Sequence, residues 1–495
     1  MQQPRYPAKA VVAGLLMAQI VATLQVYLAN AELYETLLLL QTHGYLLVPG
    51  QLIAERLGEF KPAFIGGLFF TCSIGAGLTV VALAATWCWG SICNRNRAFG
   101  AMAIVFWLAL LVPVNQQGFS PIPSLYVLAV PLVTVAATLR WLCPAKGTAP
   151  GAAIWVHTLP VLVLAVLWGA QWRPSMFQDI RDHLLLSNPA GIRFTEMYYR
   201  YTLYPARVFK TIEQKMLKTV RLRGFRDPAV QHSVARVLGD YDYLPTADSD
   251  RVDVIIAEEG NRLVFYSGPT MLLEMTHERF MANPLKELRA FSSKADTHRF
   301  FRQVTVLGLL FGFPLLLYTL YHSVARFVLA LFLTDQRASI ASTGTAFCVG
   351  LAVLLVLSAG DTVTMARKDI AASLDSARWQ DQVSALKAIA ASGTAIEAPN
   401  LYAKLSASTH IPVRYWLAVA LGNGPGEETL EVIIDLLDDS SPNVVCKAFT
   451  ALGKRGNQTH IGLMLRAIER SDHWYVQSHA YSALRALEWR QARSD

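Results

Sequence analysis

The chain has 495 residues, 53% hydrophobic and only 16% charged, with a net charge of +8. Soluble chains carry about 25% charged residues, so this balance excludes an ordinary soluble globular protein and points to several membrane-spanning helices. The positive charge gathers in one internal stretch and beside apolar segments, which argues against a nucleic-acid binder, and no nucleic-acid partner is expected.

A spanning helix needs about 20 apolar residues. In chain order, seven stretches meet or approach that length: 10–29, 63–89, 98–114, 121–140 and 152–170, then 303–322 and 341–359. The first has a basic start and a small-x-small site at Ala29–Ala31. Its apolar core is longer than a signal peptide's, so an uncleaved anchor is expected. Segment 34–53 interrupts an apolar run with Glu35, His43 and Pro49 and reads as an interfacial or re-entrant piece.

With seven spans and the N-terminus inside, the inner side carries Arg5, Lys9, Arg95, Arg97, Arg140, Lys146, Arg326 and Arg337. The outer short loops carry only Arg56 and Lys61. The positive-inside rule then puts the N-terminus in the cytoplasm of a bacterial inner (plasma) membrane, with the long loop and the C-terminal tail on the periplasmic face. An eighth span at 34–53 would reverse the loop and the tail.

The spans hold little polarity beyond Gln19, Gln25, His157 and Asp361. Ion-coupled transport normally needs buried charges, so a transporter component is a minor alternative. Gly308 and Gly312, and again Ala346 and Gly350, have the small-xxx-small spacing that lets helices approach closely.

Residues 171–302 form a long loop that suits a small extramembrane α+β domain. A helix is expected from Pro205 to Gly224, a second from Pro228 to about Leu238, and a hairpin from Val252–Ala257 and Leu263–Ser267. On a helix over 206–223, Arg207, Lys210, Lys218 and Arg221 share one face opposite Val208, Ile212, Met216 and Val220. That face is a candidate contact surface for anionic lipid headgroups or an acidic partner.

Asp240, Asp242, Asp248, Asp250 and Asp253 read as a solvated acidic loop. A calcium-binding frame starting at Asp248 would need Gly at its sixth position, where Asp253 stands. Asp179, Asp182 and His183 are polar candidates if the chain is an enzyme, or an enzyme subunit, handling lipid-linked or glycan substrates. No nucleophile elbow, zinc-protease, phosphate-loop or dinucleotide motif accompanies them. No catalytic residue, metal or cofactor is assigned, and the six cysteines read as free thiols.

From 376 the chain becomes polar and self-similar. Stretches beginning at Asp381, Val413, Val444 and Val476 repeat with small residues at the eighth position (Ala388, Ala420, Ala451, Ala483) and Ile or Leu at the ninth. Pro412 and Pro442 open two of these helices, and Gly422 and Gly453 suit their ends. Second helices are expected near 396–407, 427–438 and 458–470. Repetition at this period is the mark of a solenoid.

These stretches resemble HEAT repeats of the phycobilisome-lyase-like type, whose pattern is roughly V-R-x-x-A-x-x-A-L-G. The resemblance implies an α-solenoid and protein–protein contact; no lyase residues carry over. The whole reads as a mainly α chain: membrane helices at 1–170 and 303–360, the loop domain at 171–302 and HEAT-like repeats at 376–495. The expected job is a membrane scaffold or assembly protein without catalysis of its own.

Overall fold

The computed structural model describes residues 7–116, 118–141, 153–172, 176–246, 251–358, 367–393, 399–424 and 428–491. Cys143, Lys146, Asp248, Asp250 and Asp361 lie outside the described residues, as do the side chains of His157 and His183. The chain divides into two compact units. The first comprises 1–29, 60–179 and 297–360; the second comprises 30–59, 180–296 and 361–495.

The first unit is built from apolar helices. Among the described residues six helices are long and apolar enough to cross a membrane: Ala8–Thr42, Phe60–Gly90, Arg97–Asn115, Pro121–Trp141, Arg299–Leu329 and Asp335–Val356. Thr158–Ala170 is a shorter apolar helix, so the expected fifth span is the weakest by length. The small residues act as close contacts. A Cβ on Gly312 would lie 2.5 Å from the Gly77 Cα, and one on Gly350 would lie 2.8 Å from the Leu164 side chain.

Two five-residue π-turns, Thr71–Gly75 and Gly308–Gly312, interrupt their helices where they pack together. Gln19 answers part of the polar demand there, accepting from the Thr71 hydroxyl at 2.7 Å and donating to the Phe64 carbonyl at 2.8 Å.

In segment 34–53 the first helix continues unbroken from Ala8 to Thr42, its last turns from Asn30 belonging to the second unit, and a short helix Gln51–Ala54 follows.

In the second unit a five-stranded sheet has the order β2-β1-β3-β4-β5. The strands are β1 Lys218–Arg223, β2 Tyr243–Pro245, β3 Val254–Glu259, β4 Arg262–Ser267 and β5 Thr270–Thr276. β1 pairs in parallel with both β2 and β3, and β3, β4 and β5 form an antiparallel meander. Helix Pro228–Gly239 links β1 to β2, starts on the Asp227 cap and buries Val234 and Leu238. These join Val220, Ile256, Phe265, Phe280 and Phe291 in one apolar core.

The helix expected over 205–224 is not formed as such. It stops at Phe209, Lys210 turns extended, and 218–223 becomes a central strand. Lys-Thr-Val-Arg-Leu-Arg alternates as well as it spirals, and non-local pairing decides such short runs. The hairpin expected at 252–267 is present, extended by β5 across the turn at Gly268.

The solenoid follows its sequence period. First helices Trp379–Ser392, Ile411–Asn423, Pro442–Arg455 and Trp474–Ala486 stack on one another, and second helices Pro399–Ser406, Glu428–Asp435 and Ile461–Arg470 lie behind them. The Arg of the Val-Arg pair is structural. Arg414 grips Asp439 with two hydrogen bonds, at 2.6 and 3.1 Å, tying one repeat to the turn before the next.

Gly422 and Gly453 lie in the last turns of their helices, as expected, but serve there as close contacts: a Cβ would stand 2.8 Å from Ala451 Cβ and 2.8 Å from Ala483 Cα respectively. Their lack of a side chain sets the spacing between repeats.

Gly→Ala normally stabilises a helix by about 1 kcal/mol, but overpacking costs about 1–3 kcal/mol. Gly422→Ala is therefore expected to lower the melting temperature, whereas Gly462→Ala, with only the flexible Arg466 tip 3.5 Å away, is expected to raise it slightly. Thermal melts of the two variants check this; equal shifts would contradict a spacing role for Gly422.

Candidate functional site

The first-helix row of the solenoid carries a stripe of large side chains between its alanines. The segment from Ile180 to Tyr201, a π-turn followed by helix Pro189–Tyr201, runs along that stripe. Asp182 has no solvent exposure at all. Its carboxylate accepts from Arg181 Nε at 2.8 Å and from the Trp416 indole Nε1 at 2.8 Å, and Lys387 Nζ lies 3.8 Å away. Arg181 Nη2 also stands 2.7 Å from the carboxylate, but the Nε bond is the aligned one.

The Arg181 guanidinium lies 3.9 Å above the Tyr415 ring. Burial alone would lower its pKa, but the Asp182 carboxylate outweighs burial and raises it, so the guanidinium stays charged. Further along, Tyr199 stacks on Tyr475 with ring centres 4.8 Å apart, Thr202 accepts from the Trp474 indole at 3.0 Å, and Arg200 pairs with Asp472 at 3.0 Å.

The end of the row is closed as well. Gln477, wholly buried, accepts from the Gly50 amide at 2.9 Å and donates to the Ile468 carbonyl at 2.9 Å and the Ser471 carbonyl at 2.7 Å. Tyr481 donates to Asp242 at 2.6 Å, and Arg485 pairs with the same carboxylate at 3.1 Å. The apolar core beneath is continuous from Tyr45 and Val48 through Leu217 and Leu244 to the last helix.

Against the solvated acidic loop expected at 240–253, Asp242 is largely enclosed and Asp253 is held by Lys215 at 2.5 Å and by the Thr219 amide at 2.9 Å. Burial would raise the Asp253 pKa; Lys215 and Arg207 override it and hold the carboxyl below its usual range.

The basic residues expected on one helix face are divided by the strand. Lys218 sits in β1, buried, donating to the Tyr241 carbonyl at 3.1 Å, and burial lowers its pKa. Arg221 stands half-buried three residues further along the same strand. Arg207 and Lys210 instead line a small pocket with Lys215, a residue outside the expected face. The pocket's other walls are apolar: Leu33, Leu37 and Leu40 from the first helix, Leu203, Leu217, and the Trp474 ring 5.3 Å from Lys210 Nζ.

Of the polar candidates, Asp182 is the buried ion-pair carboxylate and Asp179 is also buried. The partners Arg181, Tyr415, Trp416 and Lys387 do not stand out in the sequence. The available signal is two adjacent bulky aromatics at the third and fourth positions of one repeat.

A family model of HEAT repeats matches residues 398–485. Comparison with the curated proteins found no match, and neither did comparison with the solved structures. The C-terminal region therefore carries HEAT repeats, which suggests a role in protein–protein interaction.

Two histidines report on this packing. Burial, with Arg200 adding to it, pushes the His473 pKa down to about 4, and burial with Lys447 does the same to His479. Both values lie below the ordinary 6.5, so the unfolded chain binds more protons between pH 6.5 and 4. Their contribution to stability is complete above pH 6.5 and is lost as pH falls toward 4. The melting temperature is expected to fall between about pH 7 and pH 5, and to fall less in the His473→Gln, His479→Gln double variant; identical slopes would contradict the assignment.

Proposed function

We propose that the chain is a scaffold of a bacterial inner membrane, anchored by its apolar helices, which uses its HEAT repeats to recruit or brace partner proteins. The observation that carries this reading is the arrangement of the solenoid. Its first-helix row is covered by residues 180–201 of the same chain, whereas the second-helix row exposes Glu431, Asp435, Asp438, Arg466, Glu469 and Arg470. A partner would bind that polar second row, acidic in the middle repeat and mixed in the last. The charge asymmetry of the short loops supports a cytoplasmic N-terminus and an outward-facing loop domain and repeats. Asp182 gives the enzyme reading little help, since Arg181 and Trp416 already engage its two oxygens.

Intact cells treated with a membrane-impermeant amine cross-linker, followed by purification of the full chain, test both parts. A protein captured by the wild type should be lost from a Glu431→Arg, Asp435→Arg variant. Capture only after permeabilisation would overturn the outward orientation. A set of captured proteins identical for wild type and variant would overturn the second row as the docking face.

A further inference from the structure

We infer that the pocket lined by Arg207, Lys210 and Lys215 is a binding site for a phosphate or carboxylate group. Three cations converge on a cavity of about 30 Å³. On the same measure one water needs about 10–15 Å³, so the cavity accepts a compact anionic group and not a whole lipid or nucleotide.

Charge balance supplies the argument. Among the described residues the nearby carboxylate is Asp253, and it is already committed to Lys215 and Thr219. Arg207 Nη2 is enclosed without a hydrogen-bond partner among the described residues. Lys210 is held against the Trp474 ring, and burial together with the like charge of Arg207 lowers its pKa. Among the described residues Asp253 acts on Arg207 only at a distance while bonded to Lys215, and two half-buried cations side by side with so little compensation are costly. An oxyanion between them would pair both, and Arg207 can present two donors to it. The apolar wall of Leu33, Leu37 and Trp474 favours an anion that carries an apolar portion lying over the mouth.

The group has two possible sources, a lipid headgroup or a free small anion, and the experiment separates them. Full-length protein in neutral detergent is titrated with inorganic phosphate, with glycerol phosphate and with short-chain phosphatidylglycerol, using short-chain phosphatidylcholine as the blank. Saturable binding of phosphate or glycerol phosphate identifies a free anion. Binding of phosphatidylglycerol at least tenfold tighter than either identifies the headgroup of a lipid.

In both cases Arg207→Gln with Lys210→Gln should weaken binding at least tenfold, and Lys286→Gln, which removes an exposed cation from helix Pro284–Lys294, should not. Lys210→Gln alone is the second variant, expected to weaken binding several-fold with an unchanged melting curve. No binding above the phosphatidylcholine blank, or binding that survives the double substitution, overturns the site.

Discussion

A carboxylate with no access to water ties the segment after Ile180 to the solenoid. Burying an ionised group costs several kcal/mol unless its charge and its hydrogen-bonding capacity are both met. Asp182 meets that condition through its neighbour Arg181 and through Trp416 and Lys387, which belong to two successive first helices of the solenoid. The segment that carries Asp182 cannot leave the solenoid without breaking the Trp416 hydrogen bond, the Lys387 ion pair and the contact of Arg181 with the Tyr415 ring. The covering of the first-helix row by Tyr199, Arg200 and Thr202 follows from that anchor.

The same logic applies at the solenoid's end. A short stack of repeats leaves its last helix with one apolar side uncovered, and such arrays need caps. Here the caps come from the chain itself: the turn at Tyr45–Gly50 and the loop at Asp240–Asp242, each tied by polar side chains to helix Trp474–Ala486 and the residues just after it. Since the first row and the end are both covered in cis, the second-helix row is the face left for the proposed recruitment of another protein. The pocket beside Trp474 lies among the same capping elements, so a bound anion there would stabilise the closure.

The solenoid was legible because its signal is local: small residues at helical spacing and proline at helix starts fix each helix without reference to distant residues. The apolar helices were legible for the same reason, hydropathy being a property of one segment. The strand at 218–223 was not, because its identity rests on parallel pairing with residues 243–245 and 254–257, far along the chain. Gly422 and Gly453 are visible in the sequence but their role is not: helix termini and helix crossings both favour glycine, and only the neighbouring Ala451 and Ala483 distinguish them. Asp182 looked like a candidate for chemistry since a sequence does not reveal that Trp416, over two hundred residues away, donates to it.

Hydrogen–deuterium exchange on the full chain carrying Asp182→Asn is the most direct test of this anchoring. The substitution keeps the shape of the side chain and removes the charge that balances Arg181. Amides of helices Ile411–Asn423 and Pro189–Tyr201 are expected to exchange at least about tenfold faster than in the wild type, while those of β3 and β4 keep their protection. Unchanged protection in both helices would contradict the claim that the contacts of Asp182 with Trp416 and Lys387 hold the solenoid to its covering segment.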